Sequence, residues 1–157
     1  MRRIKIGDIV EIKTKTGFFY AQCTHKIKDY GELIQVTNSS FKERPVVDEI
    51  LACKVGIITF FPLNLALKEI EFELIGNSSI PKPRERMPVF RVRGDVDKNG
   101  NVKGWCFWDG EKYWPNHYIK ELTSEEQRLP IRGCWNKALL LQRLEEGWLP
   151  EMYGCIT

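Results

Sequence analysis

Trp105, Trp108 and Trp114 stand within the stretch GWCFWDGEKYWPNHY, residues 104–118, with Phe107, Tyr113 and Tyr118 among them. No other part of the chain restricts its fold so strongly. Asp109-Gly110 divides the run, and an Asp-Gly pair between two apolar runs predicts a two-residue hairpin turn. That register sets Trp108 against Glu111, Phe107 against Lys112, Cys106 against Tyr113 and Trp105 against Trp114. Because strands alternate their faces, Trp105, Trp114 and Phe107 share one side, while Trp108 and Tyr113 take the other. One side serves the core. The other must be covered by more protein or offered to a partner, and Trp108, at the hairpin mouth, is the ring expected to be exposed.

The rest of the chain supplies more strands than helices. Residues 4–12 (IKIGDIVEI), 17–25 (GFFYAQCTH) and 30–37 (YGELIQVT) alternate apolar and polar positions between glycine or polar breaks, predicting a three-stranded meander. Both faces of the second strand are half apolar, so the sheet should curl, barrel-like, and be covered on one side and partly on the other. Residues 38–49 read as a loop and 50–61 (ILACKVGIITFF) as a buried strand. Pro62 can open a short helix. In IEFELIG, residues 70–76, Glu71 and Glu73 take one face and Ile70, Phe72 and Leu74 the other. Residues 77–88 hold three prolines and no periodicity and read as a linker. VFRVRG, the loop DVDKNGN and the aromatic hairpin then make a second meander. TSEE at 123–126 is a capping box, with Thr123 as N-cap and Glu126 reaching back. Residues 136–146 form the clearest helix, capped by Asn136 and stopped by Gly147, with Trp135 and Trp148 docking it. The fold class is α+β: small antiparallel meander sheets packed with a C-terminal helix, in one domain over residues 1–157.

Composition narrows the function classes. An apolar fraction of 43% beside 29% charged residues is that of an ordinary soluble domain, and no apolar run approaches the roughly 20 residues that span a bilayer. The basic start meets Gly7-Asp8 before any apolar stretch, so it does not read as a signal peptide. Five cysteines, at 23, 53, 106, 134 and 155, form no CxxC pair and fit reduced thiols in a cytoplasm. Cys53 and Cys106, inside apolar runs, are expected to be buried. The net charge of +3 is patchy: residues 1–30 carry seven basic against three acidic side chains, and residues 81–93 five against one. That falls short of a dedicated nucleic-acid domain.

Each chemical motif has a plainer reading beside it. Asp95-x-Asp97-x-Asn99-Gly100 matches the first half of a calcium-binding loop, but Cys106 stands where a bidentate glutamate is needed, and the flanks are strands. A hairpin loop wants the same residues. Cys23 and His25 share a strand face without further zinc ligands at suitable spacing. No phosphate-cradling loop, serine elbow or paired-carboxylate signature appears, so catalytic, cofactor and metal residues are all expected to be absent, and the chain is not expected to be an enzyme. Arg84, Arg86, Arg91 and Arg93 form a basic stripe beside the aromatic hairpin. Cations beside rings suit single-stranded nucleic acid and equally suit a protein interface.

IKIGDIVEI followed by GFFYAQC, the middle segment ITFFPLNLALKEIEFELIGNSSIP, MPVF, and the ending LPIRGCWNKALLLQRLEEGWLPE together resemble the immunity protein family numbered twenty-six of bacterial polymorphic-toxin systems. The resemblance runs almost end to end. It implies an α+β, non-enzymatic protein encoded beside a toxin, often a nuclease with an HNH fold, which it binds and neutralises by occluding its active or substrate site. It carries no binding residues across. Nuclease inhibitors are often acidic and this chain is slightly basic; the strand with Glu69, Glu71 and Glu73 and the helix pair Glu145 and Glu146 could face a basic toxin surface. The residues expected to meet the partner are Trp108, Asp109, Tyr113, Arg91, Arg93, Glu71 and Glu73. The alternative is a small-barrel nucleic-acid binder using the arginines and Trp108.

Overall fold

The computed structural model describes residues 3–153, so Cys155 lies outside the described residues. The first meander runs where the alternation predicts it: β1 (Asp8–Thr14), β2 (Gly17–Ile27) and β3 (Gly31–Thr37). β4 (Val55–Phe60) joins β3 and β5 (Phe72–Asn77) joins β1, giving an antiparallel sheet in the order β4-β3-β2-β1-β5. Its edges do not meet, so the curl stops short of a barrel. A second antiparallel sheet orders β6 (Phe90–Arg93), β7 (Trp105–Trp108) and β8 (Tyr113–Ile119). With five helices among the described residues, the class is α+β. The chain divides into two compact units: residues up to Arg86 with Cys134–Trp148, and Met87–Gly133 with the residues from Leu149 onward.

In the first unit the five-stranded sheet is covered on both faces. Val10, Ile12, Phe19, Ala21, Cys23, Ile34 and Val36 point into the main core, where α5 (Lys137–Glu146) inserts Leu140 and Leu144. Asn136 accepts from the Leu139 N–H at 2.8 Å, and Gly147 closes the helix at φ 68°, a left-handed angle that costs a residue with a Cβ. Trp135 lies buried in this core with Trp148 packed against it, ring centroids 5.4 Å apart, and the Arg143 guanidinium lies over both rings. On the other face Ile9 and Tyr20 pack with Ile50 of α1 (Val47–Ala52).

That helix corrects the sequence reading, which ran a loop to residue 49 and a strand from residue 50. The β-branched run misled, while Val47, Ile50 and Leu51 already stood at i, i+3, i+4 spacing. Arg84 of α3 (Lys82–Glu85), a helical turn inside the stretch read as linker, donates through Nη2 to the carbonyls of Leu51 and Cys53 at 3.0 and 2.6 Å, satisfying acceptors the helix end leaves open. Cys53 is only partly buried, its Sγ donating to the Glu49 carbonyl at 3.2 Å. Pro62 caps α2 (Leu63–Ala66) from the position before it. Ile70 does not share the apolar face of β5. It precedes the strand in a turn and is 93% exposed.

In the second unit all four β7 residues are buried. The capping box of α4 (Ser124–Gln127) forms as read, Thr123 Oγ1 accepting from the Glu126 N–H at 3.1 Å and Glu126 Oε1 from the Thr123 N–H at 2.9 Å. The aromatic hairpin departs from the expected register. Its loop is four residues, Asp109–Lys112, and the pairs are Trp108 with Tyr113 and Phe107 with Trp114. Asp109 Oδ1 accepts from the N–H groups of Glu111 and Lys112 at 3.0 and 2.8 Å, and this side-chain turn widens the loop beyond the Asp-Gly pair. Because the slip is an even number of residues, every ring keeps the face assigned to it while changing its partner.

Candidate functional site

β8 is an edge strand, and it carries the largest exposed rings of its unit. Tyr113 is 56% exposed, Trp114 39% and Tyr118 51%. The local sequence explains why they are outside. Between Phe107–Trp114 and Trp105–Ile119 two steps along β7 span five along β8, so residues 115–118 bulge away from the ladder. Pro115 has no N–H to give a further strand, which blunts the edge against backbone pairing. Recognition along this edge therefore falls to side chains.

Each exposed ring is held from behind. Trp114 leans on buried Phe107 with centroids 6.1 Å apart, and Tyr113 on buried Trp108 at 6.3 Å. The Arg132 guanidinium sits 5.1 Å from the Trp108 centroid and 5.3 Å from that of Tyr113, and it donates to the Tyr113 hydroxyl. Tyr118 lies on bare backbone: a Cβ at Gly104 would come within 2.6 Å of the Tyr118 Cβ, and one at Gly94 within 3.0 Å of its ring. Glycine at both positions is what lets the ring lie there. Pro115, Asn116, His117 and Tyr118 also line a shallow cleft of about 350 Å³ with Cys106.

The residues singled out from the sequence divide between the two units: Trp108, Asp109, Tyr113, Arg91 and Arg93 belong to the second, Glu71 and Glu73 to the first. Trp108, expected at the surface, is 4% exposed and serves as the platform for Tyr113 and Arg132. Trp114, read as core, is the exposed one. Asp109 spends its carboxylate on the loop N–H groups of Lys112 and Glu111, which hold that carboxyl below the usual range. Arg91 is buried, donating to main-chain carbonyls, whereas Arg93 is exposed and donates to the Tyr153 hydroxyl at 3.0 Å. In the first unit Glu73 pairs with Arg44 at 3.0 Å, and Glu71 with Lys137 at 3.3 Å. The Glu71 carboxyl is held low by its own backbone N–H and by Lys137.

A second charged group lies within the first unit. Glu11, 8% exposed, accepts from Tyr20 Oη at 2.9 Å and from Arg44 Nε and Nη2 at 2.8 and 3.1 Å. The Arg44 hydrogen bonds, against the opposing effect of burial and with help from Tyr20, hold the Glu11 carboxyl below its ordinary value. Burial and the neighbouring carboxylate push the Tyr20 phenol up. All polar atoms here answer one another, which is the arrangement of a structural network rather than a reacting one.

Among the described residues no three His, Cys, Asp or Glu side chains cluster as a metal site. Asp97 Oδ1 accepts from the N–H groups of Asn99 and Asn101 at 2.8 and 2.9 Å, the geometry of a tight polar turn. His25 bridges the Thr24 hydroxyl and the Glu85 carbonyl, and Cys23 beside it is buried. No helix among the described residues is long and apolar enough to cross a membrane. Missed from the sequence were Trp114, Tyr118 and Arg132. The signal for the first two was Pro115, since a proline inside a strand marks an edge. Compared with protein-family models, with curated proteins and with solved structures, the chain matches none.

Proposed function

We propose that this chain is a binding protein that captures a partner polypeptide on the aromatic edge of β8. Following the sequence resemblance, the partner is a bacterial toxin, a nuclease, whose active or substrate site the complex covers. The observation that carries the reading is the exposure of Tyr113, Trp114 and Tyr118 on one blunted edge strand beside Arg132. Tyrosine, tryptophan and arginine dominate binding hot spots, because large rings bury much area while losing little rotamer freedom. The backing by Phe107, Trp108 and the two glycines fixes the rings before a partner arrives, and preorganisation of this kind lowers the entropy lost on association. No step of chemistry is assigned to the chain. The reading needs the complex to form in a cytosol, where the thiols stay reduced.

Nucleic acid is the poorer fit. A strand-tracking groove needs a continuous run of exposed cations. Of the four arginines in the stripe, Arg91 is buried and Arg84 is committed to the end of α1, which leaves Arg86 and Arg93. Calorimetric titration of the full chain against the toxin domain encoded beside it tests the reading. Nanomolar binding that loses at least about 1 kcal/mol in Trp114→Ala and again in Tyr118→Ala supports it. Absence of binding, beside oligonucleotide affinity that falls steeply with salt, would replace it with the nucleic-acid alternative.

A further inference from the structure

A second cleft in the same unit, about 480 Å³, has Arg91, Trp105, Lys120, Gln127, Glu151 and Tyr153 in its wall. Arg91 is 2% exposed, and its guanidinium is only partly used. Nε donates to the Leu129 carbonyl at 3.3 Å, and Nη2 to the carbonyls of Gln127 and Pro150 at 3.1 and 2.5 Å. Nη1, with two N–H groups, has no acceptor among the described residues. Nor is it sealed in: the one fully buried side-chain polar atom without a partner among those residues is Gln22 Oε1. No carboxylate among them lies within ion-pair distance of Arg91 either. In contact with the charge are carbonyl dipoles, the Trp105 ring 4.5 Å away and the Tyr153 ring 5.9 Å away, and the Glu151 carboxylate acts on it from beyond ion-pair distance. Structural arginines this deep are usually matched by an acid in direct contact, because a buried cation without one is costly.

We propose that this cleft is a carboxylate-binding site, in which Arg91 Nη1 donates to a carboxylate oxygen, Lys120 attracts the same group, and Trp105 and Tyr153 flank its apolar body. One charge suits the site better than two. Arg91 and Lys120 share the wall with Glu121 and Glu151, so the charges of the wall nearly balance, and the desolvation cost, which grows with the square of the ligand charge, disfavours a dianion such as phosphate against a monoanion. With Nε and Nη2 committed to carbonyls, Nη1 alone is left, and it holds one carboxylate oxygen in a single charge-assisted hydrogen bond. Such a group could come from a free small acid or from the C-terminus of a polypeptide. This site is separate from β8 and does not depend on the partner assigned there.

The test is a series of ¹H–¹⁵N titrations of the full chain at constant ionic strength, following the Trp105 indole and Arg91 Nε–H signals. The probes are benzoate, phosphate, and a short peptide ending in phenylalanine, with its terminus free or amidated. Expected are saturable shifts of both signals with benzoate or the free-acid peptide, and weakening of about tenfold or more on amidation or in Lys120→Glu. Tighter binding of the peptide than of benzoate assigns the site to a polypeptide terminus, and the reverse to a free acid. Arg91→Lys should abolish the saturable shifts; if it does not fold, Lys120→Glu and the amidated peptide decide. Unsaturable shifts spread over surface lysines, phosphate binding as tightly as benzoate, or unchanged affinity in Lys120→Glu would overturn the assignment.

Discussion

Arg44→Met asks what keeps the Glu11 carboxylate charged at a site 8% exposed. The substitution removes the two charge-assisted hydrogen bonds to Glu11, at 2.8 and 3.1 Å, together with the exposed one to Glu73 at 3.0 Å, and leaves the Tyr20 hydroxyl as the remaining donor to Glu11 at 2.9 Å. Fully shielded bonds to a charge contribute about 1.5–3 kcal/mol each. The Arg44 side chain is 48% exposed, so water and salt screen its half of the pair. Screening lowers what those bonds contribute, and the expected destabilisation is about 2 kcal/mol at neutral pH. Urea unfolding followed by the amide signals of β1 and β2 measures it. The pH dependence identifies the cause. Glu11 titrates below its unfolded value when folded, so its contribution is complete above the ordinary carboxylate range and disappears as pH falls through the folded value. The gap between the two proteins should therefore close as pH falls through the folded Glu11 value, below the ordinary carboxylate range. A gap that stays constant down to that pH would mean that the arginine stem, by packing alone, accounts for the loss, and a gap under about 0.5 kcal/mol at neutral pH would refute the network altogether.

Three further outcomes follow from the same geometry. Leu140→Ala, which empties a fully buried position on α5, should cost about 3 kcal/mol, and Asn136→Ala about 1 kcal/mol through the lost cap, both read from urea midpoints. Trp108→Ala should lose about 3–5 kcal/mol in the second unit while Trp114→Ala stays within about 1 kcal/mol, the reverse of what the sequence reading expects. In a Cys155→Ser background, exposed Cys134 should react with a thiol reagent long before Cys23, whose thiol burial pushes up to about 12.

Much of the architecture could be read from short-range pattern. Alternation located β1, β2 and β3, and cap chemistry located α4 and α5, because those signals act between residues a few positions apart. The failures have a common form. α1 lies where a β-branched run competed with a weaker helical spacing, and its settling partner, the Ile9–Tyr20 face, is distant in sequence. Ile70 was assigned by continuing a period past the true start of β5. In the hairpin the Asp109 side chain, not the Asp-Gly pair alone, decides the loop length. The candidate site was legible as a segment but not as a surface. Which of Trp108 and Trp114 faces water depends on the bulge at residues 115–118 and on Arg132, and the latter approaches from eighteen or more residues away. Glu71 and Glu73 looked free in sequence because Lys137 and Arg44 lie far along the chain.

Whether the β8 edge is the interface is decided by comparing the full chain with Trp114→Ala/Tyr118→Ala in binding the proposed partner, the nuclease toxin that the sequence resemblance implies. Both proteins are first shown to share the same amide spectrum outside β8. Expected are nanomolar capture by the parent chain, loss of about a hundredfold or more in the double variant, and restored toxin activity in the same mixture. Undiminished capture and neutralisation by the double variant would contradict this expectation, and would move the interface away from β8.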